Sequence, residues 1–233
     1  MDFGTTIDDA LSYTKEGIFQ HADRWLKLIL ALICLGIPFN GYVMRIYRGT
    51  EPAPDVDQWG SLFVDGLKLL VVGIVYSIPI ILLWIIIYGS FVLAAVSGAG
   101  TNYAMMTGWA PNLVLLLFMY ILEIVIGIIF PVAAIRFART GSFFEAFNFH
   151  EIFATIGKIG WINYIIALIL VALIIAIPVG IILFIFLVAG FMMNAFITAF
   201  LAMIVILLII APLFSVFQAR YLTKVYDSAE ILE

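Results

Sequence analysis

Charge is scarce in this 233-residue chain: Asp, Glu, Lys and Arg together make up 11% of it, against about 25% in an ordinary globular protein. A water-soluble domain of this length needs a charged exterior, so a soluble fold is excluded for most of the chain. Cysteine is scarcer still. Cys34 stands alone, which excludes an intrachain disulfide and argues against a thiolate metal site. Basic excess is missing as well, with 11 Lys and Arg against 15 Asp and Glu and a net charge of −4. Nucleic-acid binding calls for a basic face and is not expected.

Catalytic signatures are equally thin. His150-Glu151-Ile-Phe-Ala154 begins like the zinc-protease motif, but Ala154 occupies the place of the second histidine, so two imidazoles never stand one helical turn apart. Neither Gly-x-Gly-x-x-Gly nor Gly-Lys-Ser/Thr occurs, so no phosphate-cradling loop is expected. Cys34 has no histidine near it in sequence to activate it. The expectation is a chain that is not an enzyme, with no catalytic residue, no metal and no cofactor.

What is present is apolar: 65% of the residues are hydrophobic. A helix needs about 20 apolar residues to cross the hydrocarbon core, because each residue rises about 1.5 Å. Residues 69–122 and 161–219 carry no Asp, Glu, Lys or Arg, and each run is too long for one crossing. The first is interrupted by the turn-rich stretch 97–112, the second near Gly190-Phe-Met-Met-Asn194. The fold class expected is an all-α integral membrane bundle of two long transmembrane hairpins, with a shorter N-terminal segment and interfacial amphipathic helices. Along the chain this gives one membrane domain over 1–233. It comprises an N-terminal polar or amphipathic helix (1–24), a re-entrant or first membrane segment (25–44) and an inner loop (45–66). A first hairpin (67–139), an interfacial helix (140–160), a second hairpin (161–220) and a tail (221–233) follow.

Orientation follows from the distribution of positive charge, which gathers on the cytoplasmic side. The two expected outer loops, 96–112 and 190–194, carry no charge of either sign. The segments 45–68 and 136–158 and the chain from Arg220 onward hold eight of the eleven Lys and Arg. Both hairpins therefore open toward the cytoplasm, and a cell-membrane location with the C-terminus inside is expected. The run 28–44 is short and contains Pro38, Asn40 and Gly41. Either it crosses, or it dips in and turns near Pro38–Gly41, leaving the N-terminus inside; the second reading keeps Lys15, Arg24 and Lys27 with the other cations. Residues 1–24 are polar and lack a small-residue cleavage site, so a removable signal peptide is not expected.

Weak internal likeness accompanies this plan. A shift of 81 residues aligns Gly60-Ser-Leu-Phe with Gly141-Ser-Phe-Phe, Pro131 with Pro212 and Arg139 with Arg220. A shift of 136 aligns Trp25 with Trp161. Three apolar stretches end in a proline and then an arginine: Pro38…Arg45, Pro131…Arg139 and Pro212…Arg220. In the connector, Ser142 and Glu145 have capping-box spacing. Phe143, Phe147, Phe149, Ile152, Phe153 and Ile156 form an apolar face after them, suited to the inner interface or to the bundle's own inner surface. Trp25 and Trp161 fit an inner aromatic belt and Trp109 an outer one.

Glu123 is the one charged residue inside a confident span. A carboxylate at mid-depth costs about 2.5–3.5 kcal/mol on insertion scales. Two readings stand. One is an ion or proton site; the other is interhelical glue, hydrogen-bonded to Tyr76, Tyr88, Tyr120 or a backbone carbonyl. The inner segment 41–68 is the most distinctive stretch. Arg45, Arg48, Arg136, Arg139 and Arg220 are the candidates for lipid headgroup contact at the inner interface. Asp55, Asp57 and Asp65 are candidates to pair with basic residues there.

The pieces Gly41-Tyr-x-x-Arg45-x-x-Arg48-Gly49, the acidic stretch ending Trp59-Gly60, Leu62-Phe63-x-Asp65-Gly66 and the tail Ala219-Arg220-Tyr221-Leu222-x-x-Val225-Tyr226 carry a resemblance. The chain resembles the archaeal-type membrane family catalogued as domain of unknown function 4013. The resemblance implies a polytopic membrane protein and brings no established activity. Asp55 and Asp57 are separated by Val56 where the family pattern has adjacent acids. Two functions are expected as rivals: a non-enzymatic scaffold or partner-binding component, and a small transporter or channel component using Glu123. Expected partners are membrane lipids, with a homo-oligomer or a membrane-protein partner beside them.

Overall fold

A computed structural model of the chain describes residues 2–96, 110–192 and 194–229. Among them the regular structure is helical, without a strand. In chain order the α-helices are α1 (Phe3–Thr14), α2 (Ala22–Ile33), α3 (Ile37–Tyr47), α4 (Trp59–Val96), α5 (Ala110–Thr140), α6 (Phe149–Ile159), α7 (Trp161–Met192), α8 (Ala195–Val205) and α9 (Ala211–Asp227). A π-helical turn, Ile206–Ile210, joins α8 to α9 without a break. The helices group into two compact units, Met1–Leu70 with Val132–Glu233, and Val71–Pro131.

Four stretches are long and apolar enough to cross a membrane: Trp59–Gly89, Leu113–Thr140, Trp161–Phe191 and Ala195–Asp227. Their side chains face outward more than inward. Ile85, Val114, Ile162 and Phe184 are each more than half exposed, which is the pattern of helices solvated by lipid and not by their own core. The break expected at 190–194 falls there: α7 ends at Met192, and the Asn194 carboxamide oxygen caps α8 by accepting from Phe196 and Ile197 N–H at 3.0 and 3.1 Å. α7 and α8 pack against each other, with Gly190 close beneath the Thr198 hydroxyl. Further along they leave an apolar cavity of about 590 Å³, lined by Phe186, Phe191, Ala199 and Met203 among others. The expected outer loop 96–112, with Trp109, lies outside the described residues apart from its ends.

The 33 residues of Ala195–Asp227 measure about 50 Å as a helix, against a hydrocarbon core of about 30 Å. The surplus is α9. It is buried nearly all round, through Val216, Phe217, Tyr221, Leu222 and Val225, because α1, α2, α3, α6 and α7 all pack on it. The segment expected as a tail is thus a core helix as far as Asp227.

Two expectations are corrected. The run 28–44 turns at Cys34–Gly36, where Leu35 and Gly36 take left-handed φ values of 59° and 69°, and not at Pro38–Gly41. Pro38 sits in the first turn of α3, where its missing N–H removes no helical hydrogen bond. With α2 at 12 residues and α3 at 11, each is far too short to cross. In the connector, Ser142 makes no side-chain cap. Phe143–Phe147 is a single 3₁₀ stretch, and Asn148 starts α6 by accepting from Glu151 N–H at 3.4 Å. Glu145 is diverted from capping by an ion pair with Arg136. The face of α6 is divided: Ile152, Ile156 and Ile159 are buried, while Phe149 and Phe153 stand outside, Phe153 stacked on Trp161.

Gly41 and Gly66 explain why α3 and the start of α4 meet so closely. A Cβ on Gly41 would lie 1.9 Å from the Leu62 carbonyl oxygen, and one on Gly66 would lie 1.7 Å from that of Ile37. Both obstacles are backbone, so the helices must part to admit a methyl group. Gly41→Ala and Gly66→Ala should each destabilise the fold by about 1–3 kcal/mol or more. Gly60→Ala, which meets nothing within 4 Å, should be neutral or slightly stabilising. Thermal unfolding of the detergent-solubilised protein reads the difference, and equal Tm values for the three variants would refute the contact.

Candidate functional site

The chain between α3 and α4 crosses the surface of the first unit as a strap, residues 48–58, and cations from four helices, with the Tyr13 hydroxyl of a fifth, hold it down. Arg45 donates to the Asp55 and Asp57 carbonyls at 2.9 and 3.0 Å, to the Asp57 carboxylate at 2.7 Å and to Ser61 Oγ at 3.0 Å. Arg24 donates to the Asp55 carboxylate at 2.5 Å and to the Ala53 carbonyl at 3.2 Å. Arg139 donates to the Tyr47 carbonyl at 2.8 Å and to Asp227 at 2.6 Å. Its guanidinium fills the space beside Gly49, whose φ of +81° and missing Cβ let it approach. Tyr13 donates to the Thr50 carbonyl at 3.0 Å. Inside the strap, Ala53 and Val56 are buried.

Arg220 is the innermost cation, its side chain 4% exposed. It grips Asp9 with two hydrogen bonds, at 2.6 and 3.1 Å, and reaches Glu51 of the strap at 2.5 Å. The Tyr13 ring lies 4.5 Å from its central carbon, a cation–π distance. Lys224, one turn on, adds a 3.0 Å bond to Glu51. A guanidinium offers five donors in a planar fork, so one buried residue ties α1, α9 and the strap together. Two positive and two negative groups meet here, and the cluster is neutral. Burial pushes the Tyr13 phenol well above its ordinary value, so it remains a hydrogen-bond donor across the working pH range.

All five arginines singled out from the sequence are in ion pairs. Arg45, Arg139 and Arg220 converge on residues 47–57. Arg48 holds Asp65 at 2.6 Å, along the first turns of α4. Arg136 lies apart, bonding Glu145 and standing 3.8 Å from Glu151, so that it fixes the 3₁₀ turn and the start of α6. Asp55 and Asp57 are taken by different arginines. The guanidiniums point inward and the carboxylates outward: Arg45 and Arg24 are 15% and 16% exposed, while Asp57 and Asp55 are 56% and 58% exposed. Glu123 belongs to the other unit. It is half-exposed on α5 and is not among the residues that make hydrogen bonds or ion pairs within the described part of the chain.

Sequence reasoning missed Asp9, Tyr13, Glu51 and Asp227 as partners. A signal was available for part of this. Asp9 and Tyr13 stand four apart on one helix, Arg220 and Lys224 four apart on another, and such pairs share a face. The strap itself gave no periodic signal. The cavity between α7 and α8 offers little polar chemistry, since Thr198 donates its hydroxyl to the Asn194 and Ala195 carbonyls at 2.9 and 3.2 Å.

Arg220→Met would leave Asp9 and Glu51 without their strongest donor, and the loss should approach about 3 kcal/mol, the lower end for breaking a buried pair. Lys27→Met, which removes an exposed pair with Asp23, should cost far less, because solvent screens the pair. Chemical denaturation of both variants reads the ratio, and similar losses would refute the central role of Arg220. The hydrogen bonds from Arg220, and next from Lys224, hold the Glu51 carboxyl below its ordinary value of 4.5. A carboxyl lowered on folding stabilises fully above its unfolded value and loses that contribution as pH falls through the folded one. Stability should therefore drop below about pH 4.5, and Glu51→Gln should shallow that slope. An unchanged slope in the variant would show that Glu51 contributes nothing to it.

Comparison with known proteins adds one finding. The family model described as a protein of unknown function (DUF4013) matches residues 26–188. That span takes in α3, the strap with Arg45 and Arg139, and α6, while Tyr13, Arg24, Arg220 and Lys224 lie outside it. No curated protein and no solved structure matches the chain. On the matched span, which covers well over half of its length, the chain belongs to the DUF4013 family.

Proposed function

We propose that the protein is a non-enzymatic, multi-pass scaffold of the cell membrane, which organises lipid or partner proteins from a rigid cytoplasmic cap. The observation that carries this reading is the strap. Arg24, Arg45, Arg139 and Arg220 are spent on carboxylates and carbonyls that order a surface, and none of the four is left converging on an open cleft. Two hairpins, 67–139 and 161–220, cross the bilayer with both ends inside. α2 and α3 dip into the inner leaflet from the cytoplasmic side, their tip at Leu35 87% exposed. Phe144, Phe149 and Phe153, all outside the core, lie in the inner acyl boundary. Arg48 and Arg139 keep the more accessible guanidiniums, 40% and 30% exposed, and are the headgroup contacts of this reading.

Labelling of single cysteines tests the arrangement. In a Cys34→Ser background, Thr5→Cys and Thr140→Cys should both react with a membrane-impermeant maleimide in inside-out vesicles and in neither case in right-side-out ones. Reaction from opposite sides would mean that the chain crosses between them once more, and reaction of both from outside would invert the topology.

A second reading, a small transporter or channel component, is favoured by Glu123 alone, a mid-span carboxyl in an apolar helix. Ion flux into proteoliposomes that is lost on Glu123→Gln would establish it. Absence of flux across ions and pH values would remove it.

A further inference from the structure

In the second unit, Tyr76 of α4 packs edge-on against Phe130 of α5, ring centroids 5.6 Å apart. Eleven residues onward on α4 and eleven back on α5, Ile87 and Met119 are buried again, the spacing that antiparallel neighbours produce. By the same register Glu123 stands level with residues 80–86 of α4, Ile-Ile-Leu-Leu-Trp-Ile-Ile, which offer one indole N–H. Trp84 is itself stacked on Tyr88. Glu123 thus lies on the flank of the packed side of α5, about 15 Å along the apolar stretch that begins at Leu113, near the middle of a bilayer core. Neither Glu123 nor Tyr120, three residues earlier and 57% exposed, has a hydrogen-bond partner among the described residues.

A carboxyl in hydrocarbon needs a partner, and the face around this one is built for a particular kind. At 100° per residue, Leu116, Tyr120, Glu123 and Gly127 fall within one narrow stripe of α5. Gly127 meets nothing within 4 Å of an added Cβ, so a second backbone can come close there. The stripe carries a donor, the Tyr120 hydroxyl, and an acceptor, the Glu123 carboxyl, one turn apart. Two copies in the same membrane orientation, related by a twofold axis along the membrane normal, would satisfy each other: Tyr120 of each copy donates to Glu123 of its partner. We propose that this face of α5 is a self-association surface, through which a second copy of the chain supplies the hydrogen bond that Glu123 lacks in the monomer. The proposal rests on the reading that α5 spans the bilayer.

Cross-linking of the full chain in native-lipid vesicles tests it, in a Cys34→Ser background with copper phenanthroline as oxidant. Gly127→Cys should give disulfide-linked dimers several-fold above Val125→Cys, which is 43% exposed on the opposite face. Equal yields, or none at Gly127→Cys, overturn the proposal. Impermeant maleimide should label neither position; labelling would mean that α5 does not span, a failure of the spanning reading that can be told from a failure of pairing. Because a cysteine at an open glycine could alter packing, mass measurement of cysteine-free protein in nanodiscs supplies the second arm. Glu123→Leu should shift dimer to monomer and Glu123→Gln should not, since an amide still accepts the Tyr120 hydrogen bond. A dimer that survives Glu123→Leu places the interface elsewhere.

Discussion

The fold of the first unit depends on one interaction repeated several times, an inward-turned guanidinium binding a carboxylate, and in Arg24, Arg45 and Arg139 a backbone carbonyl as well, across separate chain segments. Arg139 joins α5 to the end of α3 and to Asp227 of α9, and Arg220 joins α9 to α1 and the strap. Short helices such as α1, α2 and α3 would be marginal alone. They are fixed here because α9 gives them an apolar surface and the arginines fix where along it they sit. Hydrophobic burial supplies the attraction, but it has no direction. The forked hydrogen bonds supply the register.

A cap of this kind follows from helix length. Stretches of 28–33 residues exceed a bilayer core by several turns. In water those extra turns would expose apolar side chains such as Val216, Phe217 and Val225, which are instead buried. The N-terminal helices and α6 cover them, and the strap closes over the remaining polar ends. The close crossing at Gly41 and Gly66 belongs to the same economy of space, because it brings the strap's two ends near enough for Arg45 to reach Asp57 and Ser61. Two of the resemblance-bearing pieces of sequence, those around Gly41-Tyr42 and Asp65-Gly66, are thus the two sides of one helix contact.

The long apolar helices and the break at Asn194 were legible because hydropathy and length leave few alternatives. The family resemblance was legible in short polar pieces. Places where two local signals competed were not. Pro38 and Gly41 look like a turn, yet Pro38 is compatible with the first turn of a helix and Gly41 is needed for tertiary packing, so the chain turns at Leu35–Gly36 instead. Ser142 and Glu145 look like a capping box, but Arg136 offers Glu145 a charged donor, which outcompetes a neutral backbone N–H. The partners of Arg220 lie 211 and 169 residues away, a distance that no pattern in a single sequence encodes.

The inward turn of the arginines bears on orientation as well. Once folded, the cationic residues of the cap are largely neutralised by Asp9, Glu51, Asp55, Asp57, Asp65, Glu145 and Asp227, with the guanidiniums of Arg48 and Arg139 the more accessible ones. The bias of positive residues still counts for topology, because orientation is set by Lys and Arg near the ends of spans while Asp and Glu contribute little. In the folded cap the same residues are the ties that hold the strap. The side chains that make the charge of the sequence lopsided are thus the ones whose ion pairs leave the folded cap close to neutral.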